Sequence, residues 1–291
     1  MLSYQHVFHA GNHADILKHY VLIFTLNALN KKEKPYTFFD THAGSGLYDF
    51  FDNRSLKTGE AEKGILYLLE NIKNQAAEIP SLCDYVDFVK KYTSKNLYPG
   101  SPEIERSFLR NQDFLVLSEL HPAEYENLCQ NIKKDSKNIQ INNKNGFKVL
   151  TSLTPPVTKR GAVLIDPSYE EKQDYEDAVQ TIINVHKKWS NGIILLWYPL
   201  LLHRTSDIQM MKEKIENAVK NQNQNTEIVD LQLLINTPDS HREVSLEDFE
   251  KDKKNPPRLY GSGMYVINAS WHLAEEGQKT VNLLQKMLFQ K

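Results

Sequence analysis

The fold is decided by one stretch, GAVLIDPSYE, at residues 161–170. Its first half is an apolar run that predicts a buried strand of an α/β sheet. Pro167 cannot donate a ladder hydrogen bond, so we expect the strand to end just before it. Asp166, Pro167 and Tyr169 would then follow the carboxyl end of a strand, which is where ligands bind in open α/β sheets.

These three residues suit the binding of an exocyclic amine. The carboxylate of Asp166 and the backbone carbonyl of Pro167 can each accept a hydrogen bond from one amino group, and the ring of Tyr169 can stack on the attached base. Methylation of an adenine amine needs such a site, because ring delocalisation makes that nitrogen a poor nucleophile. An acidic turn after a strand is the plain alternative, and these residues alone leave it open.

The composition limits the classes of protein to consider. The chain has 291 residues, of which 40% are hydrophobic and 25% charged, as in ordinary globular proteins. Its formal net charge of −2 means that a nucleic-acid substrate would need a local basic patch. Cys83 and Cys129 form no zinc or disulfide motif, which fits a reducing cytoplasm. No apolar run approaches the roughly 20 residues of a membrane helix, and the polar N-terminus is unlike a signal peptide.

The N-terminal segment is rich in histidine. His6, His9 and His13 could share a helical face and would then suggest a metal site. A polar cap over a pocket is the favoured interpretation, because Gly11 interrupts such a helix. A helix is predicted from about Ala14, where apolar residues begin to recur at helical spacing.

Polar residues also follow two other predicted strands. The strand at 36–40 leads into a loop that holds His42 and the glycines Gly44 and Gly46, which allow a close approach to a ligand. Asp49 stands where a dinucleotide fingerprint has its third glycine, so a nucleoside without pyrophosphate fits better than NAD. The strand at 114–117 is followed by Glu119, placed to accept hydrogen bonds from ribose hydroxyls.

The remaining segments complete an α/β pattern. A single domain is predicted over residues 1–291, with a helical insertion at 50–98. Ser101 is predicted to cap the next helix, with Pro102 at its first position. Asn145 and Gly146 form either a turn or a bracket for an adenine.

The C-terminal half predicts further strands and helices. Helices are predicted at 175–188 and 207–222, and strands at 193–201, 227–235 and 265–268. A long loop at 237–260 separates the last two strands, which should pair antiparallel. The chain therefore predicts a Rossmann-like sheet of seven strands, mostly parallel, with an antiparallel last strand.

These motifs together resemble the class I methyltransferases that bind S-adenosyl-L-methionine. The DPSY stretch is similar to their amine-methylating signature, Asp/Asn-Pro-Pro-Tyr/Phe. In addition, the chain contains in this order MLSYQHVFHAGNHADILKH, DTHAGSG, YPGSP, SELHP and the aspartate stretch. From the first residue to the last strand, it resembles the bacterial 23S ribosomal RNA adenine-N6 methyltransferases.

The resemblance implies a cytoplasmic monomer that methylates N6 of a specific adenine in 23S rRNA. The RNA would be free or partly assembled rather than part of the mature ribosome. Residues expected to bind S-adenosyl-L-methionine are Lys18, His19, His42, Gly44, Ser101, Glu119, Asn145, Gly146 and Asp166. Catalytic roles fall to Asp166, Pro167 and Tyr169, and contacts with the RNA base to Tyr4, His9 and Tyr169. No metal ion is expected.

Two residues depart from the family's pattern. Ser168 stands where the signature has a second proline, so it keeps a backbone carbonyl but relaxes the turn. Asn145 stands where an aspartate is usual, and its side-chain oxygen can still bond the adenine amine.

We expect a basic rim to hold RNA phosphates with salt-dependent affinity. Its predicted members are Lys18, His9, the 31–34 loop and the pair Lys159-Arg160. Two other classes stay open from the residues alone. One is a DNA-handling enzyme, either a DNA adenine methyltransferase or a metal-dependent nuclease that serves the use of external DNA. The other is a non-catalytic RNA-binding module.

Overall fold

A seven-stranded sheet lies at the centre of the computed structural model, which describes residues 5–132, 138–236 and 259–289. The described strands in chain order are β1 (Thr37–Asp40), β2 (Leu47–Asp49), β3 (Leu97–Pro99), β4 (Phe114–Ser118), β5 (Ile139–Asn142), β6 (Gly161–Ile165), β7 (Ile193–Leu200), β8 (Ile228–Leu234) and β9 (Gly261–Ile267). The large sheet has the order β5-β4-β1-β6-β7-β9-β8. Strand β9 is antiparallel to β7 and β8, and the other pairs are parallel. The predicted Rossmann-like sheet, with its antiparallel last strand, is confirmed.

Helices cover both faces of this sheet. The described α-helices are α1 (His13–Asn30), α2 (Asn53–Thr58), α3 (Tyr67–Asn71), α4 (Pro80–Thr93), α5 (Ser101–Phe108), α6 (Pro122–Asn131), α7 (Gly146–Leu153), α8 (Lys172–Lys188), α9 (Thr205–Gln222) and α10 (Leu273–Leu288). Helix α10, which packs beside β8, was not predicted from the sequence. Strands β2 and β3 pair antiparallel, and helices α2 to α4 with a π-helical turn at Glu62–Leu66 lie between them in sequence.

The central strand β6 shows why the layers form. All five of its residues are buried, as expected of a parallel strand covered by helices on both faces. Leu164 packs in the core that contains α1, whereas Val163 and Ile165 pack in the core that contains α8 and α9. The alternation of side chains along the strand therefore divides the interior into two cores.

The N-terminus of α1 is fixed by a side-chain cap. Asn12 has an extended backbone, and its side chain accepts hydrogen bonds from the backbone N–H groups of Ala14 and Asp15. Such a cap satisfies two donors that the first helical turn leaves without partners. Within the described ranges, no helix has both the length and the apolar composition that a membrane span requires.

Candidate active site

An inner cavity of about 230 Å³ lies at the carboxyl ends of the parallel strands. The predicted cofactor-binding residues come from six different segments, yet the structure brings all of them to this cavity. They are Lys18, His19, His42, Gly44, Ser101, Glu119, Asn145, Gly146 and Asp166. Parallel strands place their carboxyl ends at one edge of the sheet, which is why these residues converge.

Two glycines let the backbone pack closely around the inner cavity. Gly44 has a φ of +61°, a conformation that favours glycine, and its N–H donates to Glu119 Oε2 at 2.8 Å. A Cβ on Gly146 would lie 2.0 Å from the carbonyl oxygen of Thr41, so no side chain fits there. Glu119 also accepts from the N–H of His121 at 2.7 Å. Burial raises the pKa of Glu119, against these two backbone hydrogen bonds.

Ser101 lines the inner cavity, as predicted of a cofactor-binding residue, but it is not the cap of its helix. Gly100 is the N-cap of α5, and Ser101 is its first helical residue, so the predicted cap was wrong by one position. The Ser101 hydroxyl donates to Asp40 Oδ2 at 2.7 Å, and the His42 N–H donates to Asp40 Oδ1 at 3.0 Å. Burial raises the pKa of Asp40 to about 6, although both hydrogen bonds oppose the shift.

Two neutral histidines face the inner cavity. His19 is buried, and its Nδ1 lies 2.9 Å from the hydroxyl of Tyr98. Its Nε2 has no hydrogen-bond partner among the described residues. His42 places its ring edge-on to Phe147 with centroids 4.9 Å apart. Burial lowers the pKa of His19 to about 3 and that of His42 to about 4. Both rings are therefore uncharged near neutral pH and can bond a polar ligand.

Asn145 begins a helix at the wall of the inner cavity. Its side chain accepts from the N–H of Lys148 at 3.1 Å and is the N-cap of α7. The same residue and Gly146 line the inner cavity. Asn145 is thus a helix cap at the cavity wall, where an amide can also contact a ligand.

Asp166 ends a chain of buried charged groups that begins on α1. Its Oδ2 accepts from Lys18 Nζ at 2.7 Å, and Lys18 Nζ also lies 2.9 Å from Asp15 Oδ1. Asp15 Oδ2 bonds the N–H of Gly11 and lies 2.9 Å from His6 Nε2. Burial opposes the charge on Lys18, but the two carboxylates outweigh it and raise the pKa of Lys18.

This chain of charges defines the chemical state of the site. Burial alone would raise the pKa of Asp15, but nearby His6, Lys18 and His19 hold it well below its usual value. Lys18 therefore stays protonated and binds one oxygen of Asp166. Within the described part of the chain, no hydrogen bond uses Oδ1 of Asp166. Asp15 was missed from sequence, although its spacing of three residues from Lys18 on one helix was an available signal.

An outer cavity of about 550 Å³ adjoins the inner one. The two cavities share walls formed by His6, Lys18, Asp166, Ser168 and Trp197. The outer cavity has a polar side, which includes His9, Asn12, His13, Glu60 and Lys63, and an apolar end formed by Pro199, Leu201, Ile235, Leu259 and Leu288. Asp166 thus lies where a small polar cavity meets a larger, more open one.

His6 and His9 bond to separate partners in the walls of the outer cavity. His6 bonds Asp15, and His9 Nδ1 lies 2.9 Å from Glu60 Oε1, a hydrogen bond that raises the pKa of His9. Partial burial lowers the pKa of His13 to about 4. In the described ranges, no three His, Cys, Asp or Glu residues are grouped to hold a metal ion. Tyr4, predicted to contact the base, lies outside the described residues, as does 237–258 of the predicted loop.

The helical insertion holds the N-terminal segment over the outer cavity. Thr58 Oγ1 donates to the carbonyl of Phe8 at 2.6 Å, and the Ile65 N–H donates to the carbonyl of Gly11 at 2.8 Å. A Cβ on Gly64 would lie 2.3 Å from that same Gly11 oxygen, so only glycine permits the approach. The insertion therefore contributes a wall to the site.

The structure contradicts the predicted stacking of Tyr169 on a base. Tyr169 is only 4% exposed and lines neither cavity. Its φ of +53° turns the side chain inward, where the ring packs 4.5 Å from that of Tyr175. Its hydroxyl donates to the carbonyl of Trp197 at 2.8 Å. Trp197, which was not selected from the sequence, is an aromatic residue that lines both cavities together with Asp166.

The predicted basic rim is also wrong in part. The 31–34 loop precedes β1, and Arg160 immediately precedes β6, so both lie at the amino ends of parallel strands. Arg160 Nη1 donates to the carbonyl of Lys34 at 2.7 Å and thereby fixes the loop. These cations lie at the edge of the sheet opposite Asp166, whereas Lys18 and His9 do line the outer cavity.

Comparison with known proteins adds evidence of ancestry. The family model described as "Ribosomal RNA large subunit methyltransferase D, RlmJ" matches residues 33–291. The chain is 36% identical over 289 residues to ribosomal RNA large subunit methyltransferase J of Escherichia coli, covering 99% of this chain and 94% of that protein. It is 37% identical over 293 residues to the Haemophilus influenzae protein of the same name, with the same coverage.

A solved structure is similar over nearly the same length. The crystal structure of protein LPL1258 from Legionella pneumophila superposes with a TM-score of 0.77 at 29% sequence identity. The match covers 96% of this chain and 94% of that one. The overall fold of this chain therefore recurs in that protein.

Proposed function

The chain belongs to the RlmJ family of ribosomal RNA large subunit methyltransferases, and we propose that it methylates N6 of a specific adenine in 23S rRNA with S-adenosyl-L-methionine. The observation that carries this proposal is the position of Asp166, whose carboxylate lies at the junction of the two cavities. One cavity then serves the methyl donor and the other admits the target nucleotide.

The residues of the inner cavity fit a nucleoside with a charged amino-acid tail. The unpartnered Nε2 of buried His19 is a polar atom that a ligand would satisfy. Gly44 and Gly146 leave no side chain between backbone and cavity, and Glu119 offers a carboxylate for ribose hydroxyls. Asn145 stands at the wall expected to meet the adenine ring. When bound there, S-adenosyl-L-methionine supplies an electrophilic methyl group.

Asp166 and Pro167 orient the target amine. The carboxylate of Asp166 accepts one N–H, and the backbone carbonyl of Pro167 accepts the other. These two acceptors draw the nitrogen lone pair out of conjugation with the ring and direct it toward the inner cavity. Most of the acceleration comes from this alignment and from fixed dipoles that replace water.

Lys18 and Asp15 hold the carboxylate of Asp166 in a fixed position. Lys18 is almost fully buried and is charged because two carboxylates lie within 2.9 Å of its amine. A lysine in this state donates to Asp166 and takes up no further proton. The proton released by the methylated amine therefore passes to Asp166 rather than to Lys18.

The RNA has to present its adenine outside a helix. Asp166 is half-buried between two cavities, so a paired base cannot reach it. Extruding a nucleotide costs a few kcal/mol, and less where the base is already unpaired. We therefore propose that the substrate is free or partly assembled 23S rRNA in the cytoplasm, and that the chain acts as a monomer.

One assay tests the function directly. The purified protein is incubated with 23S rRNA transcribed in vitro and with methyl-labelled S-adenosyl-L-methionine, and the RNA is digested to nucleosides. Labelled N6-methyladenosine is the expected product, and Asp166→Ala should abolish it while cofactor affinity stays within about threefold. Purified ribosomal subunits and an excess of unmethylated DNA serve as competing substrates. Preferential labelling of DNA, or equal turnover by the Asp166→Ala variant, would refute the proposal.

A further inference from the structure

Trp197 lies beside Asp166 at the carboxyl edge of the sheet. Leu196 of β7 is the register partner of Ile165 in β6, and the two strands are parallel. Trp197 and Asp166 are therefore the next residue along each strand. Neighbouring strands lie about 4.8 Å apart, so the two residues are adjacent across the sheet. Side chains alternate along strands, which places both on the face covered by α1.

Trp197 is also the aromatic wall common to both cavities. It lines the inner and the outer cavity together with Asp166 and Ser168. Among the described residues, it is the only Phe, Tyr or Trp that lines the outer cavity. Trp197 therefore borders the junction through which a base in the outer cavity would reach Asp166.

Trp197 packs against both cores, yet part of its side chain is left for a ligand. A buried indole N–H normally finds an acceptor, but Nε1 of Trp197 has none within the described part of the chain. The ring is only half-buried. Tyr169, the aromatic residue of the DPSY stretch, instead donates a hydrogen bond from its hydroxyl to the carbonyl of Trp197, and this bond helps to fix the end of β7.

We propose that Trp197 is the platform on which the target adenine stacks, an inference that rests on the function proposed above. The purine lies against the indole while Asp166 and the Pro167 carbonyl hold its amine. Stacking on an aromatic ring tolerates any base, so Trp197 supplies affinity and orientation, and the two acceptors select the amine. The role predicted for Tyr169 thus passes to a residue on the neighbouring strand.

The test compares two substitutions that differ in aromaticity. Trp197→Phe keeps a ring, and Trp197→Leu keeps an apolar side chain without one. We expect kcat/KM for the 23S transcript to fall by at most about threefold in Trp197→Phe and by roughly 10- to 100-fold in Trp197→Leu. The dissociation constant of S-adenosyl-L-methionine and the Tm should be equal in the two variants. Trp271, which is 83% exposed, provides the matched control, since Trp271→Leu should leave kcat/KM unchanged.

The results of this test separate failure of the stacking role from failure of the proposed function. Equal kcat/KM in the Phe and Leu variants would overturn the stacking role, and so would a loss confined to cofactor affinity. An unfolded Leu variant would be detected by its Tm, and Trp197→Met then provides the non-aromatic comparison. Failure of the wild-type protein to methylate the transcript would reject the proposed function and this inference with it. Transfer by the wild type with no preference for an aromatic side chain would reject the inference alone.

Discussion

Replacement of Lys18 by methionine should destabilise the protein strongly, because it leaves two carboxylates without their cation. The side chains of Lys18, Asp15 and Asp166 are 6%, 1% and 15% exposed, and Lys18 Nζ lies 2.9 and 2.7 Å from the two acids. Removing one partner of a buried ion pair costs about 3–5 kcal/mol, since the remaining charge stays desolvated. Asp15 keeps its bonds to Gly11 and His6, so we expect about 3 kcal/mol.

The measurement is urea unfolding at pH 7.5, with a second substitution to identify the cause. Asp15→Asn should cost stability alone but should recover part of the loss when combined with Lys18→Met, because the double variant removes opposite charges together. Lys172→Met is the matched control: Lys172 pairs with Asp207 at 3.2 Å, but its side chain is 64% exposed. Such a surface pair contributes only about 0–1 kcal/mol.

The result that would refute this reasoning is equal destabilisation by Lys18→Met and Lys172→Met. The loss in unfolding free energy of the double variant could also equal or exceed the sum of the two single losses. In that case the unpaired carboxylates would not be the source of the destabilisation. Lower stability should be accompanied by a lower Tm, by roughly 6–12 °C if each kcal/mol shifts the midpoint of a chain of this size by about 2–4 °C.

Three further predictions follow from the same site. His19 has a pKa of about 3 in the folded protein, against about 6.5 in the unfolded chain. The unfolded state thus binds the extra proton, and stability should fall as the pH drops below about 6.5, by about 2 kcal/mol between pH 7 and 5. Between pH 7 and 5, the unfolding free energy of His19→Gln should therefore fall by about 2 kcal/mol less than that of the wild type. An equal pH dependence in the two proteins would contradict the lowered pKa of His19. Gly146→Ala should lower the free energy of unfolding by about 1–3 kcal/mol, because the added Cβ would collide with the Thr41 backbone. A urea midpoint equal to that of the wild type would show that the backbone can move to accept the methyl group at no cost in stability. Glu119→Gln should weaken the binding of S-adenosyl-L-methionine by about tenfold, as measured by calorimetry, because one charged hydrogen bond is lost. An unaltered affinity would show that Glu119 does not bind the cofactor.

The parts predicted well are those that depend on neighbouring residues in the chain. The apolar run before Pro167 predicted β6 and its end, because proline cannot continue a ladder. Helical spacing after Asn12 predicted α1. The acid-and-glycine pattern identified residues that the structure places around the inner cavity. The cap of α5 was misplaced by one residue, since the residue that adopts an extended backbone is Gly100 rather than Ser101.

The parts predicted poorly depend on contacts between distant segments. The ion pair of Lys18 with Asp166 joins residues 148 positions apart, and no local pattern indicates it. Tyr169 was expected in the site from its place in a motif, but a positive φ turns it into the core. The cations of the 31–34 loop and Arg160 have the charge that RNA requires, yet strand direction puts them at the other edge of the sheet.

The amino-acid order alone determined the sheet and its strand ends, because burial and backbone hydrogen bonding impose short-range periodicities that can be read from neighbouring side chains. Only the tertiary structure decided which side chains meet at Asp166: a buried lysine from α1, an indole from β7 and an N-terminal segment clamped by the insertion. Such meetings depend on the direction and register of packed elements, and these follow from the sum of many weak contacts rather than from any one stretch of sequence.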